Sequence, residues 1–290
     1  MPRVRAGDGT QIHYEEVGQG TPVIFVHEFA GDWRSWELQL RHFARSHRCI
    51  TFSARGYPPS DVPDDPKCYG QEIARDDVLA VMDAAGVERA HVVGHSMGAY
   101  TALHVGLDAP ERCLSLVAAG CGWGSDPEDR HEKLEMARAT GRMFLERPMA
   151  EAAANYADLP MRHPHKGKDP RGWSEFWRML AEHDGTGSGL TMLNLQVARP
   201  TLWDLRDRLT GLDLPLLVLV GDHDAACLNG SLLLFRTAPQ AALQVVPRTG
   251  HTLITEEPCT VNAALAATFA AVEAGRWQAH VPGSEEAGRT

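Results

Sequence analysis

Short apolar runs alternate with amphipathic stretches along most of this 290-residue chain. Residues 22–26, 49–52, 90–93, 114–118, 214–220 and 243–247 are largely apolar at successive positions, the pattern of strands buried on both faces of a sheet. Between them, Ala74, Val78, Val81, Met82 and Ala85 recur at helical spacing, as do Val261, Ala264, Leu265, Thr268, Phe269 and Val272. Each set gives a helix one apolar face to lay on that sheet. Residues 35–43 and 99–107 also read as helices. At the start of the chain, residues 4–6 and 11–15 flank Gly7-Asp8-Gly9 and predict a polar hairpin. Strands alternating with helices in this way predict an α/β fold, with a mostly parallel sheet covered on both sides.

The alternation stops after residues 114–118. Residues 122–211 turn helical, charged and aromatic: Trp173, Phe176, Trp177 and Leu180 mark one helical face, and Leu190, Leu193 and Val197 another. Pro148, Pro160, Pro164, Pro170 and the glycines of 185–189 are expected to punctuate this stretch. After Trp277 the chain is polar and contains glycine, which predicts a loosely held tail over 278–290.

Composition narrows the partners. A formal charge of −10 argues against nucleic acid or an anionic membrane surface, since both demand a basic face. No apolar run approaches the roughly 18 residues of a membrane span, and Met1-Pro2-Arg3-Val4-Arg5 carries no apolar segment of the signal-peptide kind. The six cysteines, at 49, 68, 113, 121, 227 and 259, show no C-x-x-C spacing. Reduced thiols in a cytoplasmic protein are the expectation.

The chemistry centres on Val93-Gly94-His95-Ser96-Met97-Gly98, a G-x-S-x-G pattern between an apolar run and a helical stretch. A serine on so sharp a turn projects its hydroxyl into a cleft, and the helix opening at Met97 aims N–H groups at any oxygen that becomes negative. Serine is a poor nucleophile at neutral pH; it needs an imidazole to take its proton, and the imidazole needs a carboxylate to orient it. Both follow in order. Residues 214–220 lead into Gly221-Asp222-His223-Asp224, and residues 243–247 lead to Thr249-Gly250-His251.

Ser96, Asp224 and His251, each after a predicted strand, resemble the α/β-hydrolase superfamily from about Val4 to Trp277. The resemblance implies an eight-stranded, mostly parallel sheet flanked by helices, with core parts at 1–122 and 212–277 and an inserted helical cap at 123–211. It assigns the acid to Asp224 rather than Asp222. It also implies an oxyanion hole from the backbone N–H groups of Met97 and, by position in His27-Glu28-Phe29-Ala30-Gly31, of Phe29. Glu28 stands where the family commonly has glycine. Its side chain either turns away to bond loop backbone or places a carboxylate at the pocket edge, where it would touch substrate. Residues 53–60 resemble the family's D-x-R-G-x-G-x-S loop, with Ser53 in place of the acid and Pro58 in place of the second glycine; that loop is mainly structural.

Trp123 is a further candidate for the pocket wall, His95 for the pocket wall or for a supporting place behind the reacting residues, and Cys227 reads as a small buried hydrophobe. His163 and His165 could suggest a metal, but histidines in a basic loop are expected to face solvent. The function implied is a serine hydrolase of a small, largely apolar ester or related carbonyl compound, working through an acyl-enzyme. No cofactor or metal is implied, and oligomeric state stays open. The alternatives are carbon–carbon bond hydrolysis of diketone-like substrates, haloperoxidase-like perhydrolysis, and a slow-turnover ligand receptor of the same fold. Epoxide hydrolase and haloalkane dehalogenase chemistry would put an aspartate at position 96.

Overall fold

The computed structural model describes residues 2–278. Its eight strands are β1 (Arg3–Arg5), β2 (Gln11–Val17), β3 (Thr21–Val26), β4 (His47–Phe52), β5 (Ala90–His95), β6 (Cys113–Ala119), β7 (Leu216–Gly221) and β8 (Ala241–Val246). They form one sheet in the order β1-β2-β4-β3-β5-β6-β7-β8. The hairpin strand β2 runs antiparallel to β1 and β4, and all later pairings are parallel. Strands β5 and β7 are buried at every position, whereas β8, at the edge, is half exposed. That difference matches the continuous apolar run of 214–220 against the Gln244 interruption in the last strand.

Alternate strand residues feed two cores. Ile24 and Val92 pack on one face with Val78 and Val81 of α2 (Gln71–Ala84) and Leu103 of α3 (Met97–Asp108). Val23, Phe25 and Val93 pack on the other with Trp36, Phe43 of α1 (Glu37–Phe43), and Leu265 and Phe269 near the C-terminus. The helix expected over 35–43 opens two residues early as a 3-10 turn, Trp33–Trp36, because Asp32 and Ser35 form a reciprocal capping box there.

Between β6 and β7 lie α4 (Arg130–Glu146), α5 (Met149–Ala157), α6 (His163–Lys168), α7 (Pro170–Ala181), α8 (Gly185–Leu190) and α9 (Arg206–Thr210). Two expectations for this insertion change. The glycines of 185–189 do not punctuate it: they form α8, which continues through a π-helical turn at Thr191–Gln196. A Cβ on Gly187 would collide with the Gly56 carbonyl, so small residues here serve close packing against the core loop. At the far end, Leu202, Leu205 and Leu209 pack into the core of the sheet, although they fall within 123–211.

The chain closes with α10 (Ala225–Thr237), α11 (Leu253–Glu256) and α12 (Pro258–Glu273). Residues 279–290 of the expected loose tail lie outside the described residues. Among the described residues, no helix is long and apolar enough to cross a membrane.

The loop after β4 carries one of the buried ion pairs. Arg55 donates to both oxygens of Asp77 on α2, each at 2.7 Å, and also binds Asp8 and the Cys68 carbonyl. Ser60 donates to the Ser53 carbonyl at 2.6 Å, tying the same loop across its base. Removing one partner of a buried pair strands the other charge, at a cost of about 3–5 kcal/mol. Asp77→Ala is therefore expected to lower stability by about 3 kcal/mol, the low end, since Arg55 keeps Asp8; a urea titration checks this.

Candidate active site

The turn between β5 and α3 sets the site. Ser96 sits there with φ 54° and ψ −109°, a left-handed conformation that costs a non-glycine residue about 1–3 kcal/mol. Its neighbours make that conformation unavoidable. A Cβ on Gly98 would collide with the Val26 carbonyl, and one on Gly94 with the Gly98 carbonyl. The Ser96 N–H donates to Ala119 O at 2.8 Å, which pins the turn to β6.

His251 reaches the serine from the loop after β8. The Ser96 hydroxyl donates to His251 Nε2 at 2.8 Å, and His251 Nδ1 donates to Asp224 Oδ2 at 2.7 Å. Burial opposes ionisation of Asp224, but the charge and hydrogen bond of His251 outweigh it and hold the carboxyl below its ordinary value. Asp222 instead accepts from the Thr249 N–H at 3.1 Å and stays at the surface of the turn. One chain of hydrogen bonds thus joins a hydroxyl, an imidazole and a carboxylate, the arrangement that nucleophilic catalysis by serine requires.

The histidine loop is itself held at several points. Glu256 accepts from the Gly250 N–H and from the Thr252 hydroxyl, both near 3.0 Å. The His251 N–H donates to Met161 O of the insertion at 2.9 Å, and His95 Nε2 donates to His251 O at 2.7 Å. Of the two places expected for His95, it takes the supporting one: it is buried behind His251 and does not line the cavity.

The loop after β3 faces this constellation. Met97 opens α3, so its N–H is one of those a helix leaves without an intrahelical acceptor. The Phe29 N–H donates to no backbone acceptor among the described residues. His27 shapes the loop between them: Nδ1 donates to Glu28 O at 2.6 Å, and Nε2 accepts from the Ala54 N–H at 2.9 Å. Only a neutral ring can do both.

Glu28 turns away as the first expectation has it, but its partner is a side chain and not loop backbone. Its carboxylate turns from the cavity and accepts two hydrogen bonds, at 3.0 and 2.6 Å, from Arg162 of the insertion. Both side chains are buried, and the Arg162 guanidinium lies 5.1 Å from the Tyr156 ring centroid and 4.7 Å from that of Phe176. Burial alone would push the Glu28 carboxyl up, but the Arg162 charge reverses this and holds it far below the usual range.

Above Ser96 opens a cavity of about 470 Å³, in the size range of small-molecule sites. Trp123 lines it as anticipated, with Met136, Met161 and Met192 as further apolar wall and Arg199 and Lys133 as cations. Arg199 stacks 3.6 Å over the Tyr100 ring and bonds Gln196 and the Trp123 carbonyl; it has no carboxylate partner among the described residues. Asp224, Cys227 and His251 could bring three ligand atoms together. Burial pushes the Cys227 thiol up well above its ordinary value, so it stays protonated and is a poor ligand. His163 is exposed as expected, but His165 is buried against the insertion core beside Phe176.

The alpha/beta hydrolase fold family matches residues 21–258, and the chain belongs to it: this is an α/β-fold hydrolase. Among its relatives, the protein named "Putative carbamate hydrolase RutD" of Azorhizobium caulinodans is 30% identical, over 90% of this chain and 96% of that one. The 2-hydroxy-6-oxo-6-phenylhexa-2,4-dienoate hydrolase of Burkholderia cepacia is also 30% identical, over 83% of this chain and 85% of its own length. A thermophilic esterase from Thermogutta terrifontis superposes with a TM-score of 0.81 at 25% identity, covering 93% of this chain and 98% of that one.

Burial depresses His27 and His95 to about 4, from the ordinary value near 6.5. The unfolded chain therefore binds more protons between these values, and stability is full above about pH 6.5 and lost as pH falls toward 4. The urea midpoint is expected to drop steadily across that window. A midpoint that stays flat between pH 6.5 and 4.5 would contradict the neutral, buried assignment.

Proposed function

We propose that the protein hydrolyses a small, largely apolar carboxylic ester or related carbonyl compound through an acyl-enzyme on Ser96. The observation that carries this reading is the unbroken Ser96–His251–Asp224 chain, at 2.8 and 2.7 Å, opening into the cavity. His251 Nε2 takes the hydroxyl proton as Ser96 Oγ attacks the carbonyl carbon, and Asp224 stabilises the imidazolium. The Met97 and Phe29 N–H groups receive the oxyanion, a contribution of about 10²–10³-fold per donor. His251 then returns the proton to the leaving alcohol, and water, activated by the same imidazole, releases the acid.

The insertion serves as the cap over this site, with residues 160–162 at its innermost edge. Trp123, Met161 and Met192 give the substrate an apolar wall. The six cysteines are all free thiols, which supports a cytoplasmic setting. One observation favours a second reading. Arg199, a cavity cation without a carboxylate partner among the described residues, suits a substrate that carries its own carboxylate, and a 30%-identical relative is named for hydrolysis of a dienoate.

Turnover of p-nitrophenyl esters from acetate to decanoate is expected, with a short-chain optimum and a loss of roughly 10⁴-fold or more in Ser96→Ala. Esters left untouched while a carboxylate-bearing vinylogous diketone is cleaved would favour the second reading. Turnover that survives Ser96→Ala would defeat both.

A further inference from the structure

The insertion grips both halves of the proposed catalytic apparatus through the adjacent residues Met161 and Arg162 and through the rings of Phe144 and Tyr156. Arg162 binds Glu28 on the oxyanion loop with two hydrogen bonds, at 3.0 and 2.6 Å. The preceding residue, Met161, accepts from the His251 N–H at 2.9 Å. A side chain at 250 would strike the Met161 carbonyl, so the histidine loop approaches the insertion as closely as glycine allows. The Phe29 ring, next to Glu28, sits in the insertion's aromatic core, with centroids 5.5 Å from Phe144 and 5.2 Å from Tyr156. A residue separation of 134 between Arg162 and Glu28 shows that this contact is wholly tertiary.

We infer that Glu28 and Arg162 are positioning residues, a directional two-bond clasp through which the insertion sets the Phe29 N–H and, by way of Met161, the His251 backbone. The inference rests on the Ser96 reading above. Neither side chain touches substrate. A carboxylate alone at position 28 would repel the nearby oxyanion, and a guanidinium alone would strand a buried charge; joined, they leave little net charge beside the reacting carbonyl. The planar fork of arginine fixes the Glu28 carboxylate in both distance and angle, which a lysine ammonium cannot do. His27 then carries that orientation through the backbone, since its ring bonds the Glu28 carbonyl on one side and Ala54 on the other.

The test must separate positioning from mere stability. A buried ion pair replaced by apolar residues of similar volume is often no less stable than the original, so the double variant Glu28→Leu/Arg162→Met is expected to keep the wild-type Tm. Its kcat on the best p-nitrophenyl ester is expected to fall about tenfold to a hundredfold, with KM changed less than about threefold, because the loss acts on alignment in the transition state. Arg162→Lys, which keeps the charge and loses the fork, should show the same split. Wild-type kcat in either folded variant would overturn the inference. Ser96→Ala, assayed alongside, keeps the two questions apart: lost turnover there with full kcat in the clasp variants removes the clasp and leaves the nucleophile standing.

Discussion

Close contact between α3 and β3, possible only because Gly98 lies against the Val26 carbonyl, holds Ser96 where a serine backbone resists going. Everything else in the site is arranged around that point. Strand β5 delivers Ser96, β3 the proposed oxyanion loop, β7 Asp224 and β8 His251, so four parallel strands end on one crevice. The sheet reverses its order of winding there, with β4 laid on one side of β3 and β5 on the other, which is where open α/β sheets leave a gap for ligands. The local cost of the Ser96 turn, about 1–3 kcal/mol, is met by the apolar core that packs Ala99, Leu103 and Val105 of α3 against the sheet.

Buried polar groups then tune the arrangement. His27 and His95 act as neutral backbone brackets, one for the loop after β3 and one for the His251 carbonyl. Glu256 performs the same service for the Gly250 N–H. None of these groups is placed to react; each satisfies a backbone donor or acceptor that would otherwise be buried without a partner, at about 1–3 kcal/mol apiece. The insertion adds the outer half of the support through Met161 and Arg162. Its own core of Phe144, Ala153, Phe176 and Leu180 includes Phe29 and Met97, the two residues proposed to form the oxyanion hole.

Much of this was legible along the chain because it is written in local pattern. Runs such as 22–26 and 214–220 are strands, the spacing of Val78, Val81 and Met82 is a helix, and Gly94-His95-Ser96-Met97-Gly98 marks a strand-turn-helix corner. Ser96, Asp224 and His251 were visible because each follows a strand-like run. Arg162 was not, since nothing in a short basic stretch beside His163 announces a partner 134 residues away. Glu28 was noticed only as a departure from glycine, and its orientation depended on that partner. The glycines of 185–189 misled for a related reason: a glycine-rich segment reads as a loop unless the close approach of Gly56 to Gly187 is known. His165 was expected in solvent because burial depends on how α6 meets α7, which no single-helix pattern reveals.

The most direct measurement is a crystal structure of the protein after reaction with a p-nitrophenyl alkylphosphonate, whose phosphorus mimics the tetrahedral carbon of acyl transfer. The account predicts phosphorus bonded to Ser96 Oγ, with the phosphonyl oxygen within hydrogen-bond reach of both the Met97 and Phe29 N–H groups, about 2.7–3.1 Å. An oxygen pointing away from those nitrogens, or phosphorus on another residue, would contradict it.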